Sequence, residues 1–554
     1  MTLTLGALLA LSFLISVLGL FVFLWAQSKG LLEAGPRAAE VIFAPDEVGT
    51  IEDPSASDTS RLALQSTRDV ARALSTSAAQ YPKRPDPAEL EARRVADRST
   101  RAAAFAFLSS AVLWLVLGSI LGLVTSLKFQ APDWLTASAL SSFGRLRPVH
   151  LNLVIYGWAS MAGIGVALWM LPRLLKTSLV GGRYAVAGAV LWNLGVASGA
   201  TAILLGWTDG MEWLEIPWQI GGLLVIGGAL AAVPLLLTLR NRKVDHLYVS
   251  VWYLAAALLW FPILYLVAKV PYVHFGVEAA IVNWWFAHNV LGLWLTPLGL
   301  AAAYYFIAKV LGRPIYSYNL SLIGFWALAM FYSQVGIHHL IGGPVPNWLV
   351  TVSIVQSVMM IVPVFAVAIN QHMTVLGHFA ALKHSPTLRF VVLGAMLYTL
   401  VSLQGTLEAL RYFNRVVHFT QYTIAHAHLG VYGFFSMVMF GAIYFVMPRV
   451  TEREWPYPKL IALHFWLVTI GLGVYFVSLT IGGLLQGSAM LDSARPFIDS
   501  VTVTLPYLTA RSVGGLLMTL GHFVFAYHFF ALVLADSPQR AGAALIGTPQ
   551  TSGA

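Results

Sequence analysis

The chain contains 554 residues, of which 58% are hydrophobic and only 10% are charged. A soluble globular protein carries about 25% charged residues, so this composition excludes that class and indicates a polytopic membrane protein. The net charge of +9 does not indicate nucleic-acid binding, because the basic residues lie in short stretches between apolar runs. Cysteine is absent, which excludes disulfides, iron–sulfur clusters, thiolate copper sites and covalent haem attachment. Any metal must therefore be held by histidine or oxygen ligands.

The N-terminal part of the chain has two sections of different character. Residues 3–25 form a long apolar run without the basic start or cleavage site of a signal peptide, so residues 1–26 are predicted to form a retained transmembrane helix. Residues 27–102 are polar with nearly balanced charge and are predicted to lie outside the membrane. Their second half, 61–101, has helical character interrupted by prolines, which break helix interiors.

The remaining chain consists mainly of apolar runs, each near the roughly 20 residues that a spanning helix needs. We predict an all-α polytopic membrane protein in which residues 103–536 form a twelve-helix bundle, to which the N-terminal helix is an addition. Residues 537–554 are predicted to be a cytoplasmic tail. The twelve spans are expected near 103–128, 148–172, 184–206, 217–239, 247–269, 279–308, 319–341, 347–377, 388–410, 421–447, 460–486 and 507–535.

Basic residues recur in every second predicted loop, which sets the orientation of the bundle. Short loops rich in Lys and Arg mark the cytoplasmic side, whereas the intervening loops carry acidic residues or little net charge. The same alternation places residues 27–102 on the cytoplasmic side. The basic residues are Arg173, Lys176, Arg183, Arg240, Arg242, Lys243, Lys309, Arg313, Lys383, Arg389, Arg449, Arg453 and Lys459; the acidic ones are Asp209, Glu212 and Glu215.

Histidines inside the predicted spans are the candidate functional residues, because ionisable groups within a membrane are costly and are retained mainly for function. Histidines at cytoplasmic span ends need no such role, and those are His246, His372, His378 and His384. Four clusters lie deeper in the spans. They are RPVHLN at 147–152, WWFAHN at 284–289, YSQVGIHH at 332–339 and HAH at 426–428.

The spacing of these histidines predicts more than one metal. Because each helical residue turns about 100°, His426 and His428 point to opposite faces and can each ligate a separate haem. His338 and His339 are adjacent, and with His288 they can form a three-imidazole site suited to copper, zinc or iron. His150 is the remaining deep candidate for the second axial position of a low-spin haem. Six histidines then account for two haems and one further metal.

These motifs resemble the haem-copper oxidase superfamily, and most closely the catalytic subunit I of its cbb3-type, or C-family, members. The resemblance covers roughly residues 100–535 and includes the stretches RPVHLNLVIYGW, WWFAHNVLGLWLTPLGLAAAYYF, FYSQVGIHHL, HFTQYTIAHAHLGVYGF and PYLTARSVGGLL. It implies a terminal respiratory oxidase that reduces O2 to water at a high-spin haem and copper centre, with electrons from cytochrome c and with coupled proton translocation.

The resemblance also assigns roles to individual residues. His150 and His428 would ligate a low-spin b-type haem, His426 a high-spin b-type haem, and His288, His338 and His339 one copper ion. Tyr332 matches the family's redox-active tyrosine, which is cross-linked to the copper ligand on the neighbouring span, here His288. Further residues are implied near the outer face. They are His418 and Arg511 for haem propionates and Glu212 or Glu215 for a calcium ion.

The proton path is less clearly indicated. The family has a glutamate in the ninth span where this chain has Gln404, which cannot ionise, and Glu408 lies one turn later as a substitute. The spans contain almost no carboxylates, so protons must move along hydroxyls, amides and water. The other candidates on this path are Tyr318, Ser321, Asn370, Thr374 and Tyr398.

Two other functions remain open at this point. A nitric oxide reductase of the same superfamily would carry iron in place of copper, a glutamate at the position of Gly292, and no counterpart of Tyr332. A twelve-span transporter would carry substrate-site charges or broken helices near the midplane, where this chain has histidine pairs. The expected partners of an oxidase are membrane-anchored cytochrome c subunits, O2 and the lipid of a bacterial inner membrane, without nucleic acid.

Overall fold

The computed structural model describes residues 3–32, 36–44, 47–49, 51–61, 63–64 and 86–534. Within these ranges the regular elements are helices, and the all-α prediction is confirmed. The predicted tail at 537–554 and residues 65–85 lie outside the described residues. The first helix, α1 (Leu3–Ser28), is apolar, and its Phe23 ring packs edge-on against Trp326 with ring centroids 5.0 Å apart.

The predicted count of twelve spanning helices is also confirmed for the described part of the chain. Each helix is long and apolar enough to cross a membrane. They are α2 (Pro87–Leu127), α3 (Phe143–Leu174), α4 (Gly182–Leu205), α5 (Trp218–Arg240), α6 (Val249–Lys269), α7 (Gly276–Leu311), α8 (Tyr318–Leu340), α9 (Asn347–Val375), α10 (Pro386–Ala409), α11 (Gln421–Thr451), α12 (Lys459–Leu491) and α13 (Phe497–Leu534).

The start of α2 differs from the sequence prediction. The helix begins at Pro87, inside the predicted polar segment, and continues without a break into the apolar run expected from residue 103. Asp86 caps it by accepting a hydrogen bond from the Ala88 N–H at 2.9 Å, and Pro87 occupies the first helical position, where its missing N–H costs nothing. The end of the polar segment is therefore a helical extension of the first span.

Three helices form the centre of the bundle. The apolar central stretches of α3, α7 and α11 are 94%, 89% and 83% buried, whereas the other nine are 33% to 56% buried. These three helices carry four of the six deep histidines predicted to bind metals. Each of the three also contains a stretch of π-helix, namely Leu153–Ala159, Val290–Leu295 and Leu429–Ser436. Such wider turns are rare and occur frequently at functional sites.

The N-terminal polar segment packs against the ends of the spanning helices that carry the basic loops. Backbone N–H groups of Gly49 and Glu52 donate to the carbonyls of Gly312 and Val310 at 2.7 and 2.9 Å. Asp53 is buried and accepts hydrogen bonds from the Ser385 hydroxyl at 2.5 Å and from both the backbone and the hydroxyl of Thr387. The described parts of the segment therefore cover part of the face that carries the basic loops.

Glu47 is the central ion-pairing residue of this interface. Its carboxylate lies 2.6 Å from Lys309 Nζ of α7 and 3.1 Å from the Arg93 guanidinium of α2, and all three side chains are largely buried. Burial by itself raises the pKa of Glu47, but the charges of Lys309, Arg93 and Arg173 outweigh it and lower the pKa from 4.5 to about 2. The carboxylate is therefore held ionised across the physiological range.

We expect Glu47→Gln to loosen the N-terminal segment, because it leaves the buried Lys309 ammonium without its carboxylate partner and removes one of the two carboxylates that pair with Arg93. Removing one partner of a buried pair costs about 3–5 kcal/mol. Hydrogen–deuterium exchange of residues 36–61 in the detergent-solubilised protein measures the effect directly. Asp492→Asn is the matched control, since its partner Arg495 at 3.1 Å is about half exposed and such pairs contribute about 1 kcal/mol or less. Equal exchange in both variants would contradict this assignment.

The same interface should respond to acid in a defined direction. A carboxylate with a depressed pKa adds stability that is fully present above its unfolded pKa and disappears as the pH falls through the folded one. For Glu47 that window runs from about pH 4.5 down to about pH 2. Exchange rates of residues 36–61, corrected for intrinsic chemistry, should be constant between pH 5 and 8 and rise below pH 4.5. Glu47→Gln should remove this acid dependence.

Candidate metal centre

The adjacent histidines of α8 lie on a tighter turn than the sequence suggests. The α-helical part of α8 ends at Phe331, and Ile337–Leu340 form a separate 3₁₀ turn after a break at Gly336, whose φ is +125°. A Cβ on Gly336 would meet the carbonyl oxygen of Trp284 at 2.6 Å, so only glycine allows this close approach to α7. His338 and His339 therefore do not share a regular helix wall; the break turns both rings towards α7.

His288, His338 and His339 form a compact group of three imidazoles. One nitrogen from each ring lies within 4.8 Å of the others, and among the described residues this is the group with the geometry to hold a metal ion. The ring centroids of His288 lie 5.0 Å from His338 and 5.3 Å from His339. The structure thus brings together the three residues that the sequence analysis predicted to share one metal.

Side chains that the sequence analysis did not select hold two of these rings in place. The hydroxyls of Ser353 and Ser357 on α9 lie 3.4 and 3.1 Å from His338 Nδ1, and the backbone N–H of His338 donates to Ser353. Trp284, one turn before His288, stacks on His339 with ring centroids 4.5 Å apart. Two serines four residues apart within an apolar span were the available signal for this support.

Tyr332 lies against the same group. Its ring centroid is 5.3 Å from that of His288, the residue to which the family resemblance implies a cross-link. The ring occupies the space above Gly292 in the π-helical stretch of α7, where an added Cβ would overlap the phenol ring. Gly292 and Tyr332 therefore depend on each other sterically. A glutamate, which the nitric oxide reductase alternative requires at this position, does not fit beside the tyrosine.

His426 and His428 face opposite sides of α11, as their spacing predicts. His426 interacts electrostatically with His288, His338 and His339, whereas His428 interacts with His150 of α3. The two sides of one helix therefore serve two distinct groups of imidazoles. The first group holds four histidines and Tyr332, and the second holds the pair of histidines predicted to ligate a low-spin haem.

The hydrogen bonds of these rings fit metal ligation through Nε2. The Nδ1 atoms of His150 and His428 donate to the carbonyl oxygens of Gly118 and Ile424 at 2.7 and 2.9 Å. A carbonyl only accepts, so each ring carries its proton on Nδ1 and offers a lone pair at Nε2. The Nδ1 of His426 likewise lies 3.3 Å from Gln404 Oε1. The residues present therefore fit axial ligands of porphyrin iron.

Gln404 and Glu408 lie together beside His426. Glu408 Oε1 is 3.7 Å from His426 Nδ1, is buried, and has no hydrogen-bond partner among the described residues. The amide of Gln404 is the nearer of the two acceptors. The structure thus places both near the C-terminal end of α10 as neighbours of His426, away from the candidates on α8 and α9.

Four of the other candidates for the proton path gather at the start of α8 and the end of α9. The fifth, Tyr398, lies on α10, with its ring centroid 4.9 Å from that of Phe434. Asn370 exchanges hydrogen bonds with the backbone of Ser317 at 2.9 and 2.7 Å, and Thr374 accepts from the Tyr316 N–H at 3.0 Å. Tyr318 donates to the carbonyl of Leu247, and Ser321 donates to the carbonyl of Tyr318, both at 2.6 Å. These groups fasten the start of α8, so their hydroxyls and amides already have structural partners.

The predicted outer-face residues have well-defined contacts. Arg511 is buried, bonds to Ser126, and lies over the Phe129 ring at 4.6 Å, while His418 stacks on Phe419. Glu212 pairs with Arg147 at 2.9 Å. Three residues on, Glu215 is buried and accepts from Asn152 Nδ2 at 2.8 Å; burial raises the pKa of Glu215 to about 7.

Comparison with known proteins agrees with this site. Residues 102–517 match the family described as Cytochrome C and Quinol oxidase polypeptide I. The chain is 33% identical over 449 residues to the Cbb3-type cytochrome c oxidase subunit CcoN1 of Stutzerimonas stutzeri, covering 78% of this chain and 95% of that protein. It is also 33% identical over 454 residues to cytochrome c oxidase subunit 1 of Rhodobacter capsulatus, covering 78% and 85%.

More distant similarities point the same way. A nitric oxide reductase polypeptide of Stutzerimonas stutzeri is 25% identical over 455 residues, covering 75% of this chain and 92% of that protein. A heme-copper terminal oxidase dimer solved by cryo-EM superposes with a TM-score of 0.63 at 17% identity, covering 80% of this chain and 86% of that chain. At that identity the likeness concerns the fold alone.

The chain therefore belongs to the haem-copper oxidase family, as a polypeptide I of the multi-pass membrane type. Within that family it is an oxidoreductase similar to the cytochrome c oxidase catalytic subunits of the cbb3 type.

We expect Gly292→Ala to displace the Tyr332 ring from its place beside His288, because the added methyl group would overlap it. Overpacking of this kind costs about 1–3 kcal/mol. The variant should therefore unfold at a lower temperature in detergent. Gly222→Ala is the control, since a Cβ there meets nothing within 4 Å, and alanine favours the helix. If Gly292→Ala unfolds at the wild-type temperature, the Tyr332 ring has room to move and the prediction is wrong.

Proposed function

We propose that the chain is the catalytic subunit of a cbb3-type terminal oxidase that reduces O2 to water with electrons from cytochrome c. The observation that carries the proposal is the group of His288, His338 and His339, with nitrogens within 4.8 Å of one another and Tyr332 packed against it. Imidazole ligands suit copper, and a three-ligand site leaves a position open for a small molecule.

The six histidines supply the ligands for the cofactors of this reaction. We assign His288, His338 and His339 to one copper ion, His426 to a high-spin b-type haem, and His150 and His428 to a low-spin b-type haem. When bound, these groups supply the electron transfer and O2 activation that no side chain of this chain provides. The carbonyls of Gly118 and Ile424 fix both the orientation and the tautomer of their rings, and the two serines of α9 fix the orientation of His338.

Tyr332 supplies what the metals lack. Cleavage of O2 in one step takes four electrons, of which the metals provide three, and a phenol can give the fourth together with a proton. The tyrosine ring packs against His288 of the three-histidine site. It also occupies the space above Gly292, so the ring stays beside His288. We therefore assign Tyr332 as the redox-active donor of the site.

Proton delivery to Tyr332 needs polar groups between the hydroxyls and amides at the start of α8 and the three-histidine site. The rings of Tyr253 and Tyr304 lie 6.1 Å apart in the bundle interior, and their hydroxyls have no hydrogen-bond partner among the described residues. We propose that Tyr318, Asn370 and these two tyrosines form the path, completed by water. Buried water commonly satisfies such hydroxyls. Coupled proton translocation remains part of the proposal.

The second candidate function is nitric oxide reduction with iron at the three-histidine site. Its support is the shared superfamily and the 25% identity to a nitric oxide reductase polypeptide. The Gly292 and Tyr332 pair favours the oxidase, because the phenol ring fills the space in which the reductase would place a glutamate.

The oxidase also needs partners that this chain does not contain. Electrons must arrive from another chain, and we propose membrane-anchored cytochrome c subunits in a bacterial inner membrane. At the outer face we propose haem propionates at Arg511 and His418 and a calcium ion at Glu212 or Glu215. Carboxylate and amide oxygens suit calcium. Glu215, beside Asn152, is the better placed, because Glu212 already pairs with Arg147.

The decisive experiment combines metal analysis with turnover of the purified protein. We expect one copper for two irons, reduction of O2 with reduced cytochrome c, and little reduction of NO. Three irons without copper, with NO as the better substrate, would establish the second candidate. A protein without haem absorption would exclude both and favour a transporter.

A variant tests whether the three-histidine site holds the copper. We expect His339→Asn to lose copper while both haem spectra remain, because a two-imidazole site binds the ion much more weakly. His372→Asn is the control, since that histidine bonds only to the carbonyl of Ala368 on its own helix. Copper retained in His339→Asn at the wild-type level would contradict the assignment.

A further inference from the structure

Three buried histidines take no part in the proposed metal site. His464 lies on α12, and His522 and His528 lie on α13, one face of which they share with Phe525. His464 stacks on Phe525 with ring centroids 4.9 Å apart. Both His464 and His522 contact the Phe440 ring of α11, at 4.6 and 5.9 Å. The three imidazoles therefore form a continuous row between α11, α12 and α13, which we call the histidine row.

The inner end of the histidine row reaches the predicted low-spin haem site through two hydroxyls. His522 Nδ1 lies 2.5 Å from Ser119 Oγ, and His522 Nε2 lies 2.6 Å from the Tyr432 hydroxyl. Ser119 follows Gly118, whose carbonyl accepts the Nδ1 proton of His150. Tyr432 lies one helical turn after His428. Ser119 and Tyr432 therefore connect His522 to the surroundings of the two proposed haem ligands, His150 and His428.

The other end of the histidine row, at His528, reaches the loop between α11 and α12, which is predicted to be cytoplasmic. The Nε2 of His528 donates a hydrogen bond to the carbonyl of Pro456, and the Trp455 ring packs on His528 at 4.7 Å. Tyr444 connects His528 with His464. Its hydroxyl lies 3.0 Å from His464 Nδ1, and its ring centroid lies 6.0 Å from that of His528.

The row is not explained by packing. Two of its ring nitrogens, His464 Nε2 and His528 Nδ1, are buried without a hydrogen-bond partner among the described residues. Each such atom loses its hydration on burial and gains no hydrogen bond in return, a cost that an apolar side chain of similar shape avoids. The neighbours of His464 are otherwise phenyl rings, which would accept a phenylalanine or leucine at lower cost.

The electrostatic surroundings leave the histidine row free to accept one proton. The titratable groups that face its imidazoles are Tyr432, Tyr444 and the histidines themselves. At the His528 end, the loop between α11 and α12 also brings Arg453 to α13, where its guanidinium donates to the Val533 carbonyl at 2.8 Å. An electron that arrives at the neighbouring low-spin site adds a negative charge close to the row, in an interior of low dielectric constant. Its attraction for a proton on the row would not be screened by water.

We infer that the histidine row, with Tyr432 and Tyr444, takes up one proton from the cytoplasmic side when the low-spin site is reduced and releases it on reoxidation. The inference rests on the proposed function, in which His150 and His428 ligate a haem. One electron passes from the cytochrome c donor to the iron, and one proton passes from cytoplasmic water to an imidazole nitrogen of the row. No bond to O2 is made or broken, so this proton is distinct from those consumed in forming water.

Thermodynamic linkage gives the test. If reduction favours protonation of the row, protonation favours reduction to the same extent, so the midpoint potential of the low-spin haem falls as the pH rises. We expect this dependence in the purified holoenzyme, measured by spectroelectrochemical titration at several pH values. We expect it to be lost in His464→Phe combined with His522→Phe, with unchanged haem content. His372→Phe, the same substitution outside the row, should keep the wild-type dependence.

A second, milder variant tests the inference if the double variant fails to assemble its haems. Tyr444→Phe removes only the hydroxyl that connects His528 and His464 and keeps the ring packing. We expect proton uptake after rapid photoreduction, followed with a pH indicator dye, to slow at least tenfold. A wild-type pH dependence in the double variant, or an unchanged uptake rate in Tyr444→Phe, would overturn the inference. An enzyme that shows either result while reducing O2 normally leaves the proposed function intact.

Discussion

An imidazole inside a membrane-embedded bundle must place its N–H on an acceptor of the protein, because lipid and packed side chains offer none. His150 and His428 do so on carbonyls of α2 and α11, and His338 lies against two serines of α9. Each bond fixes the orientation of a ring, and the two carbonyls also fix the tautomers of His150 and His428 with the proton on Nδ1. The orientation of the ligands is thus a consequence of desolvation, before any metal is present.

The backbone of the central helices accommodates these rings. A regular α-helix directs side chains at fixed angles, whereas a π-helical stretch widens the turn and redirects the side chains of the next turn. The three stretches begin within three residues of His150, His288 and His428. They also contain the small residue Gly292, above which Tyr332 packs. The position of Tyr332 beside His288 therefore depends on residue 292 having no side chain.

Charge at the cytoplasmic face has a different role. There the N-terminal segment contributes buried carboxylates, Glu47 and Asp53, to a surface whose own loops are basic or rich in hydroxyls. A buried ion pair adds little net stability over an apolar contact, yet it is strongly destabilising to break. The pairs therefore serve chiefly to fix where the segment lies. The same end of the bundle holds the entry to the proposed proton path and to the histidine row.

The sequence by itself determined the class of protein, the number of spans and the six histidines, because apolar run length and residues that are costly in lipid are local properties of a chain. The spacing of His426 and His428 also determined that they face different sites, since the turn per residue of a helix is fixed. Other features could not be predicted in this way. The break at Gly336 accompanies a close approach of α8 to α7 that neither segment encodes alone, and the apolar runs of α3, α7 and α11 did not indicate their π-helical turns.

The tertiary structure alone decided which polar groups meet. The docking of Glu47 and Asp53 depends on partners more than two hundred residues away, such as Lys309 and Thr387. The histidine row escaped sequence analysis for the same reason, since His464 and His522 lie on separate helices and each alone resembles an ordinary buried histidine. Composition and periodicity reveal which residues are buried, but the hydrogen-bond partners of a buried group are chosen by the packing of helices distant in sequence.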